Sequence, residues 1–292
     1  MIKPTAELRY EGALLNRRWR LGPRLGAGGQ GRTFLAKDES VQRGERVVVV
    51  KELKLGGAAG WKEHDLFERE SRVLKQLAHP GIPRCLDQFE AGPGELYLVM
   101  ERAPGLTLKE LAARDRFDEP LLRDVMQRTL EILVYLHGRS PPVIHRDLKP
   151  ANLLRADDGA ISLVDFGGVR DVLRLDGGST VVGTFGYMAP EQLHGQATAA
   201  TDLYGLGATV VALAGGVEPE DVPRRGLRMD VARHLPQLSP PLLALLEKML
   251  APNPEERLQS AKEALAIFQT PERAAPAPRL ARRERKRQRE AA

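Results

Sequence analysis

Gly26-Ala27-Gly28-Gly29-Gln30-Gly31 is a G-x-G-x-x-G. Glycines without Cβ atoms let backbone N–H groups come close to phosphate oxygens. A dinucleotide site would need a helix to follow the motif, whereas Thr33-Phe34-Leu35-Ala36 continues as a second strand. The motif is therefore a glycine-rich hairpin, either folded over a nucleotide or a plain turn. Further on, Lys51 closes the run Val47-Val48-Val49-Val50. A lysine ending an apolar strand needs a partner for its charge. Glu70 is available on the next amphipathic stretch, and a solvated lysine and glutamate are the other reading. His145-Arg146-Asp147-Leu148-Lys149-Pro150-Ala151-Asn152 then groups a carboxylate, an ammonium and an amide, and Asp165-Phe166-Gly167 follows at loop distance.

The cluster at 145–152 matches H-R-D-L-x-x-x-N in full, and D-F-G and Ala189-Pro190-Glu191 follow in order. From about Trp19 to Gln269 the chain resembles eukaryotic-type Ser/Thr protein kinases. The resemblance implies an α+β, bilobal fold: a small antiparallel sheet lobe with one helix, and a mainly helical lobe. It implies ATP and Mg²⁺, or Mn²⁺ in its place, as cofactors and proteins as substrates. Phosphoryl transfer asks little covalent chemistry of the protein, so positioning and charge neutralisation dominate. On the family pattern Lys51 holds the α/β-phosphates and is itself held by Glu70. Asp147 orients the acceptor hydroxyl and takes its proton, Lys149 reaches the γ-phosphate, and Asn152 and Asp165 hold the metal. Gly26, Gly28 and Gly31 cover the phosphates.

Leu98 to Ala103 resembles the kinase hinge, with Met100 as gatekeeper and the backbone of Glu101 and Ala103 meeting the adenine edge. Leu25, Thr33, Val49 and Leu154 would sandwich the ring, Thr33 standing where the family usually has Val. The segment from Asp165 to Glu191 corresponds to the activation segment. Within it Thr184 is expected to hydrogen-bond Asp147 and Lys149. Thr180 is the leading phosphosite and Ser179 the next, with Arg146 and Arg170 as phosphate partners; an unmodified loop hydroxyl is the alternative. Glu191 and Arg257 resemble a buried ion pair, and Asp202 resembles the residue that anchors the catalytic-loop backbone.

The implied activity is transfer of the ATP γ-phosphate to Ser or Thr hydroxyls, with autophosphorylation of the activation loop. Lys149 favours Ser/Thr over Tyr. A pseudokinase scaffold is disfavoured because Lys51, Glu70, Asp147, Asn152 and Asp165 are all present, and a small-molecule kinase by Ala189-Pro190-Glu191. Ala151 stands where many base-directed members carry Glu, so there is no sign of an arginine-selecting pocket there.

The elements that must position these residues follow from periodicity. Trp19 to Leu25, Thr33 to Lys37, Arg46 to Leu53, Arg84 to Glu90 and Leu96 to Glu101 read as strands, and Lys62 to Leu77 as a helix. The four-valine run suits a strand buried on both faces. Helices are expected over Pro120 to Gly138, Thr201 to Ala214, Ser239 to Leu250 and Ser260 to Gln269. Thr107/Glu110 and Ser260/Glu263 form capping boxes, and Ser239 caps the third of these helices. The division is an N-terminal extension at 1–18, an N-lobe at 19–103, a C-lobe at 104–270 and a basic tail at 271–292.

The 292 residues are 42% hydrophobic, enough for a buried core and against a wholly disordered chain. The single cysteine, Cys85, rules out an intramolecular disulfide framework and thiolate metal clusters, which suits a reducing, cytoplasmic location. The net charge of +5 looks like a nucleic-acid signature, but eight basic and three acidic residues lie in 271–292, leaving the body neutral. Neither nucleic acid nor membrane is thus an expected partner of the body. The tail reads as a solvated end, with binding to an acidic partner, a membrane surface or nucleic acid as the alternative. The uncharged run Leu203 to Val217 is shorter than the roughly 20 apolar residues of a spanning helix.

Overall fold

In a computed structural model of the chain, the described residues are 11–28, 31–41, 44–54, 64, 68, 71–92, 94–166, 170–171 and 184–269. The first lobe is a six-stranded antiparallel sheet in the order β1-β2-β3-β4-β6-β5. Its strands are β1 (Leu14–Leu15), β2 (Trp19–Gly28), β3 (Gly31–Asp38), β4 (Val47–Lys54), β5 (Cys85–Gly92) and β6 (Glu95–Glu101). Side chains alternate across a strand, and this sorts the valine run. Val48 and Val50 face an outer core with Trp19, Leu21, Phe34, Tyr97 and Val99. Val49 turns to the opposite face and Lys51 follows it there by the period of two. Val49 is only half-buried, because that face lines the cleft rather than a closed core. Leu74 and Leu77 of the helix described over 71–76 and its exit (α1) close the inner side.

Residues 11–18, set apart as an extension by the sequence reading, join this sheet. The Gly12 N–H donates to Leu21 O and the Leu21 N–H to Ala13 O, both at 2.8 Å, while Ala13 and Leu15 pack on the outer core. Arg18 makes a two-pronged contact to Asp38 (2.8 and 2.7 Å), and the indole N–H of buried Trp19 donates to Asp87.

The second lobe begins at β7 (Leu106–Thr107) and α2 (Leu108–Ala112). Thr107 and Glu110 cap each other's backbone there, as the spacing predicts. α3 (Glu119–His137) starts on an Asp118 cap and buries Leu122, Val125, Met126, Leu130, Leu133 and Leu136. Two short pairs follow: β8 (Val143–Ile144) with β11 (Arg170–Asp171), and β9 (Leu153–Arg155) with β10 (Ile161–Leu163). The uncharged run at 203–217 falls in α4 (Ala199–Gly215), which is buried nearly all round. Such a helix belongs in a protein core as readily as in a bilayer, and no helix among the described residues is long and apolar enough to cross a membrane. After the hairpin β12 (Arg224–Arg225) and β13 (Arg228–Met229) come α5 (Val231–His234), α6 (Pro240–Met249) and α7 (Ala261–Gln269). The Ser239 hydroxyl does not cap α6. It donates instead to Glu119 at the start of α3 (2.6 Å), because a charged acceptor from a neighbouring helix is the stronger partner.

Candidate active site

β2 and β3 run as a paired ribbon out to Gly28 opposite Gly31. Gly31 has φ +124°, and a Cβ there would sit 2.0 Å from the Glu52 carbonyl oxygen, so no other residue fits. Thr33 is opposite Lys51 in the register, and Val49 is opposite Met100. Met100 is buried, Thr33 and Leu154 are half-buried, and Leu25 is 56% exposed at the rim. Gly26 lies in β2, opposite Thr33. The Glu101 side chain is taken by Arg84 (2.6 Å) and Arg46 (3.7 Å), so at this position the backbone is what remains for a ligand. Ala103 follows in the irregular link to the second lobe.

The Lys51 ammonium, 5% exposed, donates to Asp165 Oδ1 at 2.8 Å. Burial opposes charge on Asp165, but Lys51 beside it, with His145 and Lys149 in electrostatic reach, holds the carboxyl below its usual range. Asp165 has φ +65°, a left-handed conformation rare outside glycine, and Phe166 behind it is buried edge-on against the His145 ring. Glu70, the expected second partner of Lys51, lies outside the described residues.

Asp147 is the centre of a second cluster. Lys149 Nζ donates to Asp147 Oδ2 (2.7 Å) and to Thr184 Oγ1 (2.7 Å), and the Thr184 hydroxyl donates to Asp147 Oδ1 (3.0 Å). Asn152 Nδ2 donates to both the backbone oxygen (2.8 Å) and Oδ2 (3.0 Å) of Asp147. With both amide hydrogens turned to Asp147, the Asn152 carbonyl oxygen is left for another ligand.

The loop carrying these groups hangs on α4. Asp202, fully buried in the first turn of that helix, accepts the backbone N–H of His145 (2.9 Å) and of Arg146 (2.7 Å), and Nε2–H of His137 (2.9 Å). Burial works against its charge, yet these donors hold its carboxyl below the ordinary range. The anchored backbone includes Arg146 at φ +71°. Gln192 closes the loop from the other side, its amide donating to Arg146 O and its oxygen accepting from Ala189 N–H. Glu191 and Arg257 form a buried two-pronged pair (2.6 and 2.7 Å), completed by Thr201 on Glu191. Burial again disfavours the Glu191 anion, and Arg257 holds its carboxyl low.

His137, Gln192 and Thr201 escaped the sequence reading. Gln192 directly follows Ala189-Pro190-Glu191 and was findable by position. His137 and Thr201 carry no local signal, since their roles arise from packing of α3 on α4 and of α4 on Glu191. Thr180, Ser179 and Gly167 lie outside the described residues, as does the tail at 271–292. For Arg170 only the strand is described, paired through Ile144 beside the anchored loop.

The pattern of one family, described as the protein kinase domain, matches residues 19–268. The chain is 34% identical over 271 residues to Serine/threonine-protein kinase PknA of Nostoc sp., covering 88% of this chain and 48% of that one. It is 35% identical over 265 residues to Serine/threonine-protein kinase C of Synechocystis sp. (85% and 49%). Against Serine/threonine-protein kinase PknB of Mycobacterium tuberculosis it is 34% identical over 271 residues (85% and 42%). The chain spans about half the length, or less, of these curated relatives.

Proposed function

We propose, for a chain that belongs to the protein kinase domain family, that it transfers the γ-phosphate of ATP to Ser or Thr hydroxyls of proteins. The observation that carries this reading is the hydrogen-bonded set Asp147, Lys149, Asn152 and Thr184 within electrostatic reach of the Lys51 and Asp165 pair. The nucleotide would lie between the lobe at 19–103 and the lobe at 104–270. Leu25, Val49, Met100 and Leu154 would bound the base, with the backbone of Glu101 and Ala103 at its edge and Gly26, Gly28 and Gly31 over the phosphates. Asp147, held in orientation by three donors, accepts the proton of the acceptor hydroxyl. Lys149 stands beside it, where charge builds on the transferred group. Lys51 is poised for the α/β-phosphates.

The donor set fits a hard divalent cation: the Asn152 carbonyl oxygen and the Asp165 carboxylate are two oxygen ligands, and Mg²⁺ completes its shell from phosphates and water. Mg²⁺ is the proposed ion, Mn²⁺ its substitute, and held by Asn152 and Asp165 it would supply neutralisation of phosphate charge. No group of three or more His, Cys, Asp or Glu side chains arranged for a metal occurs among the described residues. A cytoplasmic setting fits these cofactors.

Autophosphorylation of the activation segment at Thr180, or at Ser179, is proposed as well. Its support is the pairing of Arg170–Asp171 with Val143–Ile144 next to Arg146, which lays the segment's start alongside the anchored loop. The test is incorporation of labelled phosphate from γ-labelled ATP by the full chain, into itself and into protein substrates, with Asp147→Asn, Asp165→Ala and Lys51→Met as controls. Each control loses roughly 10² or more in rate, since several kcal/mol of charge stabilisation go with each group. Near-wild-type turnover in any of them overturns the assignment. Mass spectrometry of the product finds phosphate at Thr180 or Ser179, and its persistence in Asp147→Asn excludes self-modification.

A further inference from the structure

The peptide link between Arg146 and Asp147 aims the Asp147 carboxylate, and two side chains hold it from opposite sides. Arg146 stands at φ +71°, a conformation that a residue with a Cβ keeps only where its surroundings impose it. Its N–H donates to Asp202 Oδ1 at 2.7 Å. Its carbonyl oxygen accepts from Gln192 Nε2 at 2.9 Å. The backbone has only two soft dihedrals per residue, so fixing both polar groups of Arg146 sets the direction in which Asp147 leaves it.

Gln192 is 4% exposed and lies in the short turn Pro190–His194, directly after Glu191, whose carboxylate is committed to Arg257 and Thr201. Its amide faces two groups of fixed polarity. The Ala189 N–H can only donate and meets the Gln192 oxygen at 2.9 Å, while the Arg146 carbonyl can only accept and meets the amide nitrogen. These two partners alone decide which way the amide points. Ala189 and Arg146 are themselves buried, so a side chain that offers one half of the pair leaves a backbone group unsatisfied. A methionine fills the space and supplies neither half. A carboxylate still accepts from Ala189 but sets a second acceptor against the Arg146 oxygen.

The contact also closes a ring. The Thr184 hydroxyl donates to Asp147 Oδ1 (3.0 Å), and the Thr184 carbonyl accepts the N–H groups of Tyr187 and Met188 (both 3.0 Å). Met188 is followed by Ala189, and Ala189 returns through Gln192 to the Arg146 oxygen and so to Asp147. The side chain of Asp147 is thus held by Thr184, its backbone by Gln192, and both holds come from the one stretch 184–192. Bonds in such a network support one another, so seating that stretch and orienting Asp147 become a single event.

We propose that Gln192 is a positioning residue for phosphoryl transfer: its amide locks the Arg146–Asp147 peptide to the segment that carries Thr184, and through that link sets the aim of Asp147. The proposal rests on the kinase reading and adds to it a residue outside H-R-D-L-x-x-x-N, D-F-G and Ala189-Pro190-Glu191.

The test measures kcat and KM for ATP with the full chain and dephosphorylated casein across the range in which a buried carboxyl titrates, about pH 6 to 9.5, beside thermal unfolding at each pH. Gln192→Met removes both bonds. Its kcat falls about tenfold to a hundredfold at every pH, the order expected for a displacement of up to about 1 Å at a reacting group, with KM for ATP within about twofold of wild type. Gln192→Glu separates the two bonds. When protonated, its carboxyl accepts from Ala189 and donates to the Arg146 oxygen as the amide does; when ionised, it keeps the first bond and loses the second. The ratio of its kcat to that of wild type therefore stands near one at the acid end and falls as pH rises through the pKa of that carboxyl. The same ratio for Gln192→Met stays level. A residue of merely structural weight would lower the unfolding midpoint and leave the kcat of the folded protein and its pH profile alone. A wild-type kcat in Gln192→Met, or a level ratio for Gln192→Glu over the whole range, overturns the proposal while leaving the kinase reading in place. Absence of phosphotransfer by wild type, to itself and to casein, removes both. If Gln192→Met fails to fold, the pH-dependent ratio of Gln192→Glu decides alone.

Discussion

Asp202→Asn isolates the anchoring of the loop from the chemistry, because the substituted residue touches no reacting group. Asp202 Oδ1 accepts from Arg146 N–H, and Oδ2 accepts from His145 N–H and His137. An amide has one oxygen, so whichever way it turns its NH₂ meets a backbone N–H. The less costly orientation points the NH₂ at Arg146 and leaves that buried donor unsatisfied. Losing one charge-assisted bond and weakening the other two costs about 2–4 kcal/mol, a fall of roughly 5–15 °C in the unfolding midpoint for a domain of this size. Arg146, held at φ +71°, then relaxes toward an ordinary conformation and carries Asp147 with it. A displacement of 1 Å at a reacting group costs on the order of 10² in rate. The assay is kcat and KM for ATP and a peptide, beside thermal unfolding of the same preparation. The expected signature is a fall in kcat with KM for ATP little changed. A wild-type kcat, with or without a lowered midpoint, would refute the argument and assign the loop's geometry to Gln192 and the Thr184 contacts instead.

The Glu191 and Asp202 carboxyls lie below their unfolded range. Their stabilisation is therefore complete above about pH 4, the unfolded carboxylate range, and is lost as pH falls through the lower folded values. Unfolding midpoints should stay level from pH 7 to 5 and drop steeply below 4; Glu191→Gln should lose less between pH 6 and 3 than wild type, and an equal loss argues against the pair. Arg257→Met leaves Glu191 buried without its partner and costs about 3–5 kcal/mol by the same unfolding measurement. Leu15→Ala uncovers part of the outer core around Trp19 and costs about 1–2 kcal/mol, whereas no change would detach residues 11–18 from the lobe. Gly205→Ala places a Cβ 3.0 Å from Leu148 Cβ. The helical gain of about 1 kcal/mol is set against crowding of about 1–3, so stability falls by about 0–2 kcal/mol while kcat drops severalfold as Asp147's neighbour shifts.

The fold was legible where pattern and packing coincide. The valine run, the α3 stripe and the Thr107/Glu110 box each state a local preference that the three-dimensional structure satisfies. What escaped depends on partners distant in sequence. Ser239 has the type and place of a cap, and only the approach of Glu119 redirects it. Residues 11–18 carry no long apolar run, and they join the sheet through backbone bonds that any residue types could make. In the candidate site, the residues within one motif were readable because chemistry dictates their types. The groups that hold the motif in place, His137 and Thr201, were not, since a buried polar residue is recognisable only once its partner is known.

One buried helix links these observations. The first turn of α4 presents Asp202 to the loop backbone, and its next turn presents Gly205 to Leu148. Its last turn, with Ala212 and Leu213, lines the cavity that Lys149 and Thr184 also border. Groups that hold the loop of Asp147 and part of the cavity wall beside it are therefore carried by a single helix, buried on nearly every side. Close-packed interiors transmit small displacements rather than absorbing them.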